Sequence, residues 1–149
     1  MLVFRVAKKK HIKDMSGRGA EIAGGRWNEK GFPALYTSSA LSLCICEILV
    51  HTDKDIPPSD MYCAEIFIPD ELISDELADF SIKKDTVSAG TAWLKKCAFP
   101  AVKVPSAVLP QKYTHDYNVI VNPRHADISK IEIRAIYPCP FDTRFFANK

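Results

Sequence analysis

No segment of this chain holds the roughly 18 consecutive apolar residues that a membrane-spanning helix needs, which argues against a membrane partner. The opening residues, MLVFRVAKKKHIK, put the apolar side chains ahead of the positive ones, the reverse of a secretory leader. Five cysteines cannot all pair, and without an export signal they are expected to stay reduced, as in a cytoplasm. Cys44 and Cys46 stand two apart, where a helix would turn them to different faces. No Cys-x-x-Cys partner completes a zinc site, so no metal is expected. The Gly-x-Ser-x-Gly elbow of a serine hydrolase is missing, as are internal repeats, low-complexity tracts and heptads. A net charge of +2 falls well short of a dedicated nucleic-acid binder. The Lys8 to Lys13 cluster is one short run without interleaved aromatics and reads as a solvated loop, so no direct nucleic-acid contact is expected.

What is present suffices for a core. With 149 residues, 47% of them hydrophobic, the chain is expected to form one compact domain over residues 1–149 without staples. Leu2 to Val6 reads as an opening strand, and Lys8 to His11 as an exposed turn. A glycine-rich stretch with Gly17, Gly19, Gly24 and Gly25 follows. Pro33 to Thr37 reads as a short strand, and Ser38 or Ser39 can cap a helix that runs to about His51 on Leu41, Ile45, Ile48 and Leu49. Met61 to Ile68 has strand composition, and Asp85 can cap a second helix reaching about Cys97. Ala101 to Val108, Tyr117 to Val121 and Ile131 to Tyr137 complete the strands. The expected class is α+β with a mixed, strand-rich core.

Several residues carry candidate chemistry, each beside a plainer reading. Arg26 and Trp27 close the glycine-rich stretch. They are either a surface charge and a core anchor, or Arg26 grips an anion such as a nucleotide pyrophosphate, which guanidinium binds in bidentate fashion. Glu47 lies among Cys44, Ile45, Cys46, Ile48, Leu49 and Val50. It either turns to solvent or is buried and compensated by a cation such as Arg26. Ser106, behind Val104-Pro105, sits at a strand bend and either bonds to backbone or serves a site. His115 and His125 could act as acid and base on RNA, although His125 follows the turn signal Asn122-Pro123-Arg124 and suits a turn-stabilising role.

In order along the chain stand Gly19-Ala20, Gly24-Gly25-Arg26-Trp27-Asn28, Gly31-x-Pro33-x-x-Tyr36-x-Ser38 and Glu47 with His51. Trp93-Leu94, Val104-Pro105-Ser106-Ala107-Val108, Asn122-Pro123-Arg124-His125 and Phe141-Asp142-x-Arg144 follow. This ordered set resembles a RES domain over nearly the whole chain, with Arg26, Glu47 and Ser106 matching the arginine, glutamate and serine that name the family. The resemblance implies a fold similar to ADP-ribosyltransferases and the role of toxin in a bacterial toxin–antitoxin pair. It also implies NAD as substrate with no bound cofactor, and an Xre-type helix-turn-helix antitoxin as partner. The catalytic set it implies is Arg26, Tyr36, Glu47 and Ser106, with Arg5, Gly25, Arg26, Trp27, Tyr36 and Asn122 contacting NAD. Residues 52–92 look least like the family.

Nicotinamide in NAD is cationic and leaves as a neutral molecule, so its bond to ribose breaks without a general acid. Glu47 would stabilise the oxocarbenium-like ribose, Arg26 would fix the pyrophosphate and Tyr36 would stack on the ring or cover the ribose. Ser106 would orient the leaving group. Consumption of free NAD with water or inorganic phosphate as acceptor is the expectation, since no target-recognition loop is evident, and transfer to a protein side chain is the alternative. A ribonuclease using His115 or His125 with Arg124 and the lysine cluster, and a module that only senses nucleotides, are the competing readings.

Overall fold

A computed structural model describes residues 1–109 and 114–147. Its strands are β1 (Leu2–Lys8), β2 (Leu35–Ser38), β3 (Met61–Phe67), β4 (Ile73–Ser74), β5 (Ala101–Val104), β6 (Asn118–Val121) and β7 (Glu132–Pro138). Its helices are α1 (Arg18–Ala23), α2 (Leu41–Leu49) and α3 (Thr86–Lys96), with 3-10 turns at Asp70–Leu72, Ala126–Lys130 and Thr143–Phe145. The strands form one sheet in the order β4-β5-β6-β2-β1-β3-β7. Only β4 and β5 run parallel, and every other pair is antiparallel. The expected α+β class with a mixed, strand-rich core is what the chain adopts. No helix among the described residues is long and apolar enough to cross a membrane.

Central strands are apolar on both faces because both faces are covered. On β6, Val119 and Val121 enter one cluster with Val3, Leu35, Ala64, Ile66 and Ala101. Ile120 between them enters another with Trp27, Trp93, Leu94, Val102 and Val104. A third cluster of Val6, Cys44, Cys63 and Cys139 lies beneath α2.

Several sequence expectations shift at their edges. Ser38 and Ser39 do not cap α2. Its N-cap is Ala40, with no side-chain cap, because Ser38 ends β2 and the Ser39 hydroxyl accepts from the Tyr117 amide at 3.0 Å. The strand expected to reach Val108 ends at Val104, since Pro105 offers no N–H to a ladder. The glycine-rich stretch contains helix α1. Asp85 caps α3 as expected, accepting from Ser88 N at 3.0 Å.

Candidate active site

Gly25 to Asn28 form a tight hairpin whose two backbone bonds run Gly25 N to Asn28 O and Asn28 N to Gly25 O, at 3.0 and 3.4 Å. Asn28, 1% exposed, ties the hairpin down by donating to the Ala20, Glu29 and Phe32 carbonyls. From the sheet beneath, the Tyr36 hydroxyl donates to Asn28 Oδ1 at 2.6 Å and accepts from Trp27 N at 2.9 Å. Burial pushes that phenol up to about 12, against smaller lowering effects of the Trp27 amide and of Arg26. A Cβ at Gly25 would lie 2.5 Å from the Tyr36 oxygen, so only glycine lets loop and ring approach this closely. The hairpin sends its two central side chains opposite ways. Trp27 is 2% exposed and meets Phe80 edge-on at 5.9 Å, whereas Arg26 is exposed.

Arg26, Tyr36 and Glu47 converge on one cleft of about 670 Å³, together with Gly25, Ser38, Cys44, His51 and Asn118. Glu47 reaches it from α2, half-buried. The expected Arg26–Glu47 pairing is corrected: no such ion pair forms within 4.0 Å among the described residues. Neutral donors compensate the carboxylate instead. Ser106 Oγ and Asn118 Nδ2 both donate to Glu47 Oε1, each at 2.7 Å. Among the described residues Glu47 Oε2 takes no protein hydrogen bond, which leaves one carboxylate oxygen to face a ligand.

The remaining expected site residues lie elsewhere. Ser106 is fully buried and does not line the cleft. Its hydroxyl accepts from the Val108 and Leu109 amides while donating to Glu47, so it meets the cleft only through that carboxylate. Asn122, 2% exposed, donates to Leu94 O and accepts from Arg124 N. It stands beside a separate small pocket with Phe32, Leu94 and Cys97 and does not line the main cleft. Trp27 borders the cleft, but its ring is a core anchor. Arg5 lines a 240 Å³ pocket that shares Val6, Gly19, Ala20 and Tyr36 with the main cleft. Its guanidinium donates to the His11 and Ile12 carbonyls. Sequence reasoning missed Asn118, whose only signal was an amide opening an otherwise apolar strand. His125 Nδ1 accepts from Asp127 N, the turn-stabilising role, and neither His115 nor His125 lines the cleft.

The RES domain model matches residues 2–142. The chain is 32% identical over 149 residues to the "Prs ADP-ribosylating toxin" of Sphingobium sp. (strain YBL2), covering 93% of this chain and 90% of that protein. A "Toxin Res" of Photorhabdus laumondii is 32% identical over 140 residues, covering 87% and 86%. Among solved structures, the M. tuberculosis MbcT–MbcA toxin–antitoxin complex contains a similar chain, with a TM-score of 0.64 and 18% identity over 91% of this chain and 82% of that one. At that identity the likeness concerns fold alone. Matched along nearly its whole length, the chain belongs to the RES domain family.

Proposed function

We propose that this protein is the toxin of a toxin–antitoxin pair and consumes NAD by breaking the bond between nicotinamide and ribose. The observation that carries this reading is the Glu47 carboxylate, anchored through Oε1 and open at Oε2, in a cleft with Arg26. Names of the relatives support the toxin role. As the C1′–N1 bond breaks, its electron pair passes to the pyridinium nitrogen and nicotinamide departs neutral. The positive charge that develops on the ribose is met by Glu47, an interaction stronger in the transition state than in the ground state. Arg26, free of ion pairs among the described residues, holds a phosphate of the dinucleotide. The Arg5 pocket, adjoining through Tyr36, is a second anion subsite. Tyr36 keeps its hydroxyl engaged with the loop and offers its ring. Ser106 acts by holding Glu47.

Water or inorganic phosphate as acceptor gives depletion of free NAD. A protein acceptor gives ADP-ribosylation, a second reading favoured by the name of the Sphingobium relative. Incubating the purified chain with NAD, with and without phosphate and with a bacterial lysate, separates the three through free ADP-ribose, its 1-phosphate or labelled protein. Free nicotinamide should appear in every arm, and an Xre-type antitoxin that blocks the cleft should suppress it. Arg26→Ala and Glu47→Ala should each lower its release at least about 100-fold. Intact NAD beside degraded RNA would sink the reading in favour of a nuclease.

A further inference from the structure

Asn118 is held more firmly than a wall of the cleft requires. Ser38, Asn118 and Val104 stand directly opposite one another on β2, β6 and β5, so Ser38 and Asn118 project from the same face of the sheet. Ser38 Oγ donates to Asn118 Oδ1 at 2.8 Å. An amide whose oxygen is engaged this way presents its NH₂ to the remaining partner, and that group donates to Glu47 Oε1 at 2.7 Å. Ser106, reached from Val104 across Pro105, spends its single proton on the same oxygen. Both donors converge on Oε1 and neither on Oε2. The terminal torsion of a glutamate is soft, with no sharp rotamer of its own, and anchoring one oxygen removes that freedom.

We propose that Asn118, oriented by Ser38, is a positioning residue that divides the labour of the two Glu47 oxygens. Oε1 is the fixed one, and Oε2 is presented to the ribose of a nicotinamide nucleotide. This rests on the NAD-cleaving reading above. A carboxylate held before the substrate arrives loses nothing to reorganisation as charge develops. Removing an anchor therefore lowers kcat and leaves KM nearly unchanged. The other titratable groups lining the cleft are Arg26, Tyr36, Cys44 and His51, and Arg5 and Lys8 belong to β1, the strand that packs against α2.

Steady-state nicotinamide release by the full chain tests this. Asn118→Ala should lower kcat about 10- to 100-fold, the cost of one hydrogen bond to a charged group, with KM held within about twofold. Ser38→Ala should lose less, in the same direction. Asn118→Asp is the sharper probe, because the introduced carboxyl can donate to Oε1 only while it carries a proton. Its activity should rise as pH falls from about 8 to 5.5, a dependence the wild type lacks at this position because its anchor is a neutral amide. Unchanged kcat in Asn118→Ala, a loss confined to KM, or a wild-type pH profile in Asn118→Asp would each overturn the proposal. Should Asn118→Ala fail to fold, Ser38→Ala and Asn118→Asp carry the same test. Wild-type protein that left NAD intact would refute the reaction alone. Hydrogen exchange at the Asn118 side-chain amide then decides, since an anchored NH₂ exchanges slowly in wild type and faster in Glu47→Ala, and equal rates would refute the anchoring.

Discussion

Glu47 is half-buried where a lone carboxylate would be costly, and its charge is met by two neutral donors on one oxygen. Ser106 carries more of this arrangement than its single hydroxyl suggests. It is fully buried, donates to Glu47 and accepts from two backbone amides. Ser106→Ala should cost about 1–3 kcal/mol of stability, read by urea unfolding, and about 10-fold or more in nicotinamide release. A variant with full activity and stability would show that Asn118 alone suffices. Arg26 and Glu47 were half legible in the sequence: their types are conspicuous after glycines and in an apolar helix, but the residues alone left a surface charge and a solvent-facing carboxylate open, and the RES resemblance singled them out. The destination of Ser106 was not legible. Pro105 fixes the local direction of the chain, but only the assembled sheet shows that this direction leads into α2. Asn118 was invisible for the same reason, its role being set by Ser38 and Glu47, which are 80 and 71 positions away in sequence.

At the scale of elements, strands and caps with local signals were readable. Strand β3 lies within a residue of the Met61 to Ile68 segment expected as a strand, α3 begins at its aspartate cap, and β7 lies within a residue of its expected bounds. Strand β4 was not foreseen, since two residues pairing with β5 leave no periodicity to detect. Nor was the packing of α3 against the arginine-bearing hairpin. Gly90 on α3 sits directly on the Trp27 backbone, where a Cβ would collide with the Trp27 carbonyl oxygen and carbon. Helix propensity alone would favour Gly90→Ala by about 1 kcal/mol. Contact overrides it: the substitution should destabilise by about 1–3 kcal/mol and, by moving the hairpin, weaken NAD binding more than an equally destabilising change remote from the cleft. Thermal unfolding and KM measured together check this, and a stabilised variant with unchanged KM would contradict the packing argument.

Over the whole molecule, the acids that the fold shifts most are buried thiols and phenols kept neutral and exposed aspartates kept charged, and this sets how stability responds to pH. Burial pushes the Cys44 thiol from about 9 up to about 12 and the Tyr36 phenol to a similar value. Cys63 and Cys139 move the same way, mainly by burial, and Tyr137 lies well above the ordinary phenol range through its bonds to Cys63 and Glu65. All five are acids whose neutral form the fold prefers. Their contribution is complete below the unfolded thiol value near 9 and is lost as pH rises through the folded values, because the unfolded chain releases these protons first. The lowered aspartates, Asp14, Asp70, Asp85, Asp127 and Asp142, owe their shifts to hydrogen bonds and ion pairs on an exposed surface, where water screens most of the gain. Stability should therefore fall much more steeply from pH 9 to 11 than from pH 7 to 5, measured by urea unfolding under a reductant. Each group still protonated only in the fold adds about 1.4 kcal/mol per pH unit to that slope. Cys44→Val, which keeps an apolar side chain beneath α2, should remove one group's share and flatten the alkaline limb. A limb equally steep in that variant would mean that the thiol ionises as freely in the folded chain as in the unfolded one.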